Sequence, residues 1–441
     1  LAQIMKIMGF KVQGSDINTN KNIENCKKLG IKFFLGQKKR NIKEATILVK
    51  SSAIKSNNQE IREAKKRKLP VYERVEMLSN IVSLKKNIII SGSHGKTTTT
   101  SLVSKILLES KLDPTIINGG VINSIKNNAK LGKGDWAVLE ADESDGSFLK
   151  LPINYSIVTN IDKEHIDFYK NYKNLENCFL KFINKTPPIG KCIICNDDKN
   201  IKNLKRKIKT KNILTYGFSP SSDYQIVKSK YNSKNSKFDL IVKNFLGKKL
   251  IIKNVVLNLI GKHNILNSVA AISVCLNLGI KIKIIKRALL KFSGVQRRMT
   301  KLFEKNKNVF YDDYAHHPTE IYSVLEGIKK VANNKIITSV FQPHRYSRVN
   351  LLLKEFSKSF KFSDKVVLCP VYAAGEKIDK KFNLIKFGKM ISYNSRADVI
   401  IVKDEQNLKN YFKKNLTSNE IVIGMGAGSV SNWMRNLKHF L

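Results

Sequence analysis

The chain has 441 residues, length for about three domains, and its 42% hydrophobic and 26% charged residues fit a folded protein rather than a disordered or collagen-like one. Lysine and arginine number 80 against 35 acids, a formal charge of +45 that brings nucleic acid and anionic membrane forward as partners; yet only 12 of the cations are arginine, and the lysine excess is spread everywhere, so no nucleic acid partner is expected. No uninterrupted apolar run approaches the roughly 18 residues that span a bilayer and no charged, cleavable leader opens the chain, so no membrane insertion and a cytoplasmic location are expected.

Leu1, Ile4, Ile7 and Met8 recur at helical spacing and stop at Gly9, after which residues 10–13 read as a strand leading into Gly14-Ser15-Asp16. An acid at the end of the second strand of a nucleotide-binding sheet accepts a ribose hydroxyl, which makes Asp16 a candidate; the glycine turn of such a unit lies about 20 residues upstream. Because the sequence opens at Leu1, a first strand and its turn are expected to be missing from it. Strands at 46–50 and 71–72 and a helix at 58–68 complete a small parallel α/β domain over 1–86.

A second block, 87–294, opens with a strand at 87–91, a polar glycine loop and a helix to about residue 110. Strands follow at 136–140, 156–160, 191–195 and 213–216, then turn-broken alternating segments over 223–260 that read as antiparallel strands, then helices at 264–278 and 281–291. Cys192 and Cys195 lie inside one strand-like run with no second pair, so they read as a reduced core pair rather than a zinc site. The basic stretch 202–211 keeps apolar residues at helical spacing beneath its lysines, the pattern of a solvated helix face. The third block, 295–441, alternates strands at 309–312, 336–340, 365–368, 399–402 and 420–424 with helices after Pro318, from Asn350 and at the C-terminus.

Chemistry concentrates at strand ends. Gly92-Ser93-His94-Gly95-Lys96-Thr97-Thr98 joins an apolar strand to a helix, the context in which backbone N–H groups and a helix N-terminus face a phosphate. The loop is shorter than the general Walker pattern, since Ile90 stands where a further glycine belongs. Lys96 would reach the β and γ phosphates and the Thr97 hydroxyl would ligate magnesium. Glu140, Asp142, Glu143 and Asp145 follow the strand at 136–140, where a hard cation finds oxygen ligands. Six of the seven histidines, His94, His165, His263, His316, His317 and His344, fall in short polar motifs, as expected of a site assembled from several loops.

Six motifs in order carry a resemblance: Gly92 to Thr99, Glu140-Ala-Asp-Glu-Ser-Asp145, Thr159-Asn-Ile-Asp-Lys-Glu-His165, Gly261-Lys-His-Asn-Ile-Leu-Asn267, Asp312-Asp-Tyr-Ala-His-His-Pro318 and Phe341-Gln-Pro-His-Arg-Tyr-Ser-Arg348. With Gly14-Ser-Asp16 and Ser51-Ser-Ala53 they span essentially the whole chain, which resembles the Mur ligases. The resemblance implies an α/β fold of three consecutive domains: a Rossmann-like UDP-binding domain, here truncated; a central P-loop-type ATPase domain with added antiparallel strands; and a C-terminal Rossmann-like domain that binds the amino acid. It implies ATP-dependent amide formation through an acyl phosphate, with UDP-N-acetylmuramate as the acid and, from the 341–348 motif, L-alanine as the amine, by a monomer or homodimer.

By position in those motifs, Gly92, Ser93, His94, Gly95, Lys96, Thr97 and Thr98 would cradle ATP, with Thr97 and Glu140 on one magnesium and His165 on a second. Asn264 and Asn267 resemble adenine-side residues. Arg298 resembles an arginine offered to the ATP phosphates, with neighbouring Arg297 an alternative. Asp16, Ser51 and Ser52 fall to the UDP-sugar; His344, Arg345 and Arg348 to the amino-acid carboxylate; Tyr314 and His316 to the same pocket, with His316 as the proton acceptor. Because the ATP loop and this pocket belong to different domains, closure is expected to bring them together and exclude water. The rival readings are a ligase attaching a recycled tripeptide to the same sugar nucleotide, a ligase acting later in the same series, a nucleic-acid-binding ATPase and an inactive truncated product. The glycine run 424–428 reads as a backbone turn rather than a nicotinamide site.

Overall fold

Ile88, Ile89 and Ile90 have no exposed surface, the signature of a strand covered on both faces. In the structure, a computed structural model that describes residues 1–19 and 21–441, they belong to the strand Lys86–Ser91 near the middle of a ten-stranded sheet. The order across it is Lys248–Leu257, Ser236–Phe245, Tyr224–Tyr231, Ile213–Gly217, Lys191–Cys195, Tyr155–Val158, Lys86–Ser91, Trp136–Glu140, Thr115–Ile122 and Asn127–Lys130. The central pairings from Ile213–Gly217 to Thr115–Ile122 are all parallel, and the register sets Ile90 beside Glu140 and Ser91 beside Val158. Three strands therefore end level, and the loops after Ser91, Glu140 and Val158 meet at one edge, where open parallel sheets collect their ligands. The helix Lys96–Glu109 buries Leu102, Val103, Ile106 and Leu107.

The chain divides into two compact units, one of Leu1–Val227, Leu240–Ile252 and Asn267–Leu289, the other of Lys228–Asp239, Lys253–Leu266 and Leu290–Leu441. The first also contains two small parallel pairs, Gln13–Asp16 with Lys32–Leu35 and Leu48–Lys50 with Val71–Glu73. The second holds a six-stranded sheet in the order Thr300–Lys305, Asn308–Asp313, Glu420–Met425, Ile336–Phe341, Lys365–Leu368 and Asp398–Ile401, parallel except for its first strand. Alternate residues of these strands feed two separate cores. Val366, Leu368 and Ile423 pack with Ile321, Phe356 and Phe387 of helices on one face; Val367 and Val422 pack with Phe412, Met434 and Leu437 of helices on the other.

Several expectations are corrected. The first strand is Gln13–Asp16, three residues later than its apolar start suggests, because pairing with Lys32–Leu35 sets it while Phe10 stays exposed. Thr115–Ile122 and Asn127–Lys130 are strands not foreseen, their apolar pattern being interrupted by Gly119-Gly120, and Thr300–Lys305 adds an unforeseen antiparallel edge. The helix expected from Asn350 starts earlier and is two short helices, Tyr346–Leu351 and Leu353–Lys358, broken where Leu352 takes φ −115°. In the basic stretch the α-helix Lys199–Leu204 buries Ile201 and Leu204, then gives way to a single 3-10 turn over Lys205–Lys207 with its cations exposed. Cys192 and Cys195 are buried free thiols and join no group of metal-ligating side chains among the described residues. Among the described residues no helix is long and apolar enough to cross a membrane.

Candidate active site

The loop after Ser91 is shaped for an anion. Gly92 has φ +133° and Gly95 φ +83°, and a Cβ at Gly92 would fall 2.1 Å from Thr159 Oγ1. Thr159 Oγ1 and Asn160 Nδ2 donate to His94 O at 2.6 and 2.9 Å, while His94 N donates to Asn160 Oδ1 at 2.8 Å, so the neighbouring strand end fixes the loop. His94 Nε2 lies 3.0 Å from Asp162 Oδ2. No side chain caps the helix Lys96–Glu109, which leaves its first-turn N–H groups to a ligand. At Gly95 an added Cβ would sit 2.5 Å from Asn267 Oδ1, so Asn267 and the loop are in contact. Gly95→Ala should therefore weaken ATP binding at least tenfold, by strain at positive φ and displacement of Asn267; an unchanged affinity by calorimetry would contradict this geometry.

Lys96 is folded back onto its own loop. Its Nζ donates to Gly92 O at 2.6 Å and Ser93 O at 3.1 Å and lies 2.8 Å from Glu143 Oε2. Burial opposes its charge, but attraction by Glu143, Asp142 and Glu164 outweighs that and holds the ammonium above its usual range. Glu143 has no exposed surface; burial, against the pull of Lys96, pushes its carboxyl up to about 7. His165 Nε2 is 3.7 Å from Glu143 Oε1, and the ligand atoms of Asp142, Glu143 and His165 all lie within 4.8 Å of one another. Of the threonines that open the helix, Thr97 donates from Oγ1 to Glu140 Oε1 at 2.9 Å, and Gly119 N donates to the other carboxylate oxygen at 2.6 Å. Thr98 is buried behind it. A hydroxyl and a carboxylate side by side are the hard oxygen donors a magnesium ion takes, so the residues fit the ion.

Against burial, Ser52 is among the groups that hold the Asp145 carboxyl of the acidic loop below its usual range, and Ser51 Oγ accepts from Ala53 N at 3.4 Å. Asp16 ends its two-stranded sheet as expected, with Oδ1 accepting from Asn18 N at 3.2 Å.

In the second unit the polar cluster again lies beyond parallel strand ends, after Asp313, Phe341 and Leu368. His316 Nδ1 is 3.0 Å from Tyr314 O, and its ring centroid is 5.1 Å from that of Tyr314 and 5.8 Å from that of His344. Arg348 Nη1 is 3.3 Å from His344 Nδ1, and His344 stacks on Tyr372 at 5.6 Å with an interplanar angle of 14°. Arg345 adopts φ +68° and donates its N–H to Tyr372 O at 2.9 Å. Arg297 and Arg298 differ in their acceptors, Arg297 Nη2 donating to Gly426 O at 2.6 Å and Arg298 Nη1 lying 3.5 Å from Glu320 Oε1, while both guanidiniums lie over the Tyr314 ring, at 4.8 and 5.5 Å. Asn264 Nδ2 donates to Ile260 O at 2.8 Å in this unit, so contact with the phosphate loop is described for Asn267 and not for Asn264.

Burial, with His316 and the arginines 348, 345 and 297 around it, lowers His344 to about 3. A depressed histidine contributes stability that is present above its ordinary pKa of about 6.5 and is lost as pH falls toward 3. Acid unfolding of His344→Gln should thus show a shallower dependence over that window; an unchanged slope in pH-dependent chemical denaturation would refute the neutral, buried imidazole.

Asp162, Glu320 and Tyr372 are neighbours of the site to which the sequence reading assigned no role, and Glu143, read there only as one of four carboxylates for a cation, is the partner of Lys96. Glu143 and Asp162 stood within quoted motifs, and Glu320 sits at the third position after a histidine N-cap, a capping signal; Tyr372 carried none.

Three family models match the chain: "Mur ligase family, catalytic domain" over 1–86, "Mur ligase middle domain" over 90–275 and "Mur ligase, glutamate ligase domain" over 297–428. The UDP-N-acetylmuramate–L-alanine ligase of Pelagibacter ubique is 54% identical over 442 residues, covering 100% of this chain and 95% of the relative. That of Methylorubrum extorquens is 38% identical, covering 98% and 92%. Among solved structures, the UDP-N-acetylmuramate-alanine ligase of Thermotoga maritima superposes with a TM-score of 0.83 at 25% identity over 99% of this chain and 95% of that one. A murein peptide ligase from Psychrobacter arcticus shares the fold, with a TM-score of 0.71 at 19% identity over 99% and 95%. The three-part α/β order read from the motifs is the order of the matched models, and with a full-length relative at 54% identity the chain belongs to the Mur ligase family.

Proposed function

We propose that this protein joins L-alanine to the carboxylate of UDP-N-acetylmuramate with ATP, giving UDP-N-acetylmuramoyl-L-alanine, ADP and phosphate in peptidoglycan precursor synthesis. The observation that carries the reading is the full-length identity of 54% to a ligase of that name, together with this chain's glycine loop closed over Lys96 and its paired histidine–arginine cluster. A carboxylate cannot expel oxide at neutral pH, whereas an acyl phosphate can expel phosphate, so the acid is activated first and the amine attacks second. Domains at 1–86, 87–294 and 295–441 are supported by the spans of the family models. A nucleotide-sugar substrate and ATP place the reaction in the cytoplasm.

On this reading residues 92–98 cradle the ATP phosphates, and Lys96 exchanges Glu143 for the transferring phosphoryl group, a cation aimed where charge develops. Thr97 and Glu140 would hold one magnesium ion and His165 a second, and magnesium, when bound, would neutralise phosphate charge. Asn267 stands at the adenine side with Asn264. Arg298 rather than Arg297 is assigned to the phosphates, because the Arg297 guanidinium is committed to Gly426 O. Asp16, Ser51 and Ser52 are assigned to the UDP-sugar. His344, Arg345 and Arg348 hold the alanine carboxylate beside Tyr314, and His316 takes the proton the ammonium must lose before its nitrogen can attack.

Phosphate release measured with UDP-N-acetylmuramate, ATP and magnesium tests the reading. It predicts turnover with L-alanine. Turnover with L-Ala-D-Glu-diaminopimelate instead, or ATP hydrolysis stimulated by nucleic acid without the sugar nucleotide, would replace it.

A further inference from the structure

Two histidines of the second unit, His316 and His344, are fixed in opposite tautomers, and the residue that fixes one of them has no assigned role. Two oxygens converge on His316 Nδ1: the Tyr314 carbonyl at 3.0 Å and Glu320 Oε2 at 3.3 Å. A carbonyl and a carboxylate only accept, so Nδ1 carries the proton and the basic lone pair of neutral His316 is on Nε2. At His344 the neighbour of Nδ1 is Arg348 Nη1 at 3.3 Å, and a guanidinium only donates. His344 Nδ1 is therefore the acceptor and its proton is on Nε2, where it serves as a hydrogen-bond donor.

Resting on the assignment of His316 as proton acceptor, we propose that Glu320 is a positioning residue: its carboxylate holds His316 in the Nε2-basic tautomer and offsets the charge of the imidazolium formed when the ammonium proton arrives. The proton passes from the alanine ammonium to His316 Nε2 and the freed nitrogen lone pair attacks the acyl carbon; the tetrahedral intermediate then collapses with cleavage of the C–O bond to phosphate, the departing phosphate taking the second N–H proton, and His316 returns its proton to solvent before the next turnover. Glu320 is well placed for this. It is the third residue of the helix Pro318–Lys329; Oε2 accepts from His316 N at 3.1 Å, and Oε1 lies 3.5 Å from Arg298 Nη1. One carboxylate thus binds both the proton acceptor and the arginine assigned to the nucleotide phosphates. Of the groups nearby, His344 is kept neutral by burial, with His316 and the arginines 348, 345 and 297 acting on it, and Asp313 at the preceding strand end feels both Arg298 and Glu320. Amid that positive set Glu320 supplies the counter-charge for the imidazolium.

A purely structural role at the third helix position is filled by glutamine as well as by glutamate, since both accept a hydrogen bond from the preceding backbone. Glu320→Gln therefore separates charge from capping. The expected result is a kcat about 10²-fold lower with KM for ATP and UDP-N-acetylmuramate within twofold, and an acidic limb of kcat/KM for L-alanine moved about one pH unit lower, with rescue toward wild type in Glu320→Asp. Nitrogen-15 NMR of the wild-type protein above pH 8 should show His316 protonated at Nδ1, a readout that stands even if no ligation with L-alanine is found. An Nε2-protonated His316, or a Glu320→Gln enzyme with unchanged kcat and pH profile, overturns the proposal.

Discussion

Lys96→Met is expected to lower kcat for ligation by at least about 10³-fold on the proposed assignment, because Lys96 is the one lysine or arginine within residues 92–98. The same change removes the partner of a carboxylate that has no exposed surface. Breaking a buried pair in this way costs about 3–5 kcal/mol when the remaining charge cannot neutralise. Glu143 can neutralise, since burial already places it at about 7 with Lys96 present, and loss of the lysine raises it further. A carboxyl raised in the folded state contributes stability below its unfolded pKa and loses it as pH rises through the folded value. The stability gap between Lys96→Met and wild type should accordingly be small near pH 6 and widen toward pH 9, and the double variant Lys96→Met with Glu143→Gln should close it. Chemical denaturation at the two pH values decides this; a gap independent of pH would mean that the pair is not the buried unit described.

Arg348→Ala should raise KM for L-alanine about 10- to 100-fold while leaving KM for ATP and UDP-N-acetylmuramate within twofold, the worth of one charge-assisted hydrogen bond to a carboxylate. Arg348→Lys should recover only part of the loss, because an ammonium keeps the charge without the planar fork and cannot reproduce the contact with His344 Nδ1 at 3.3 Å. Initial rates over a matrix of the three substrates measure both. Equal effects on all three KM values would place Arg348 outside the amino-acid pocket.

The phosphate loop and the strands that carry it were legible because their signals are local: a run of isoleucines buried on both faces, glycines at the turn, and a lysine and threonine opening a helix. The acidic loop was legible for the same reason, yet its internal division was not. Glu140 pairs with Thr97, whereas Glu143, three residues on, turns inward to Lys96, and spacing alone does not say which carboxylate faces which partner. Likewise Arg297 and Arg298 are adjacent in sequence, and only the three-dimensional placement of Gly426 O separates a committed guanidinium from the one beside Glu320. A strand with weak apolar alternation was missed where pairing decides: Thr300–Lys305 is a strand because Asn308–Asp313 turns back along it in a hairpin. Tyr372 was out of reach altogether, since its stacking on His344 joins residues from different strand ends.

The central claim, activation of the muramyl carboxylate by phosphoryl transfer before amide formation, is tested most directly with UDP-N-acetylmuramate carrying oxygen-18 in its lactyl carboxylate. Turnover with ATP and L-alanine should deliver one labelled oxygen into each inorganic phosphate released, as read by the phosphorus-31 isotope shift. Amide product accompanied by unlabelled phosphate would contradict the account.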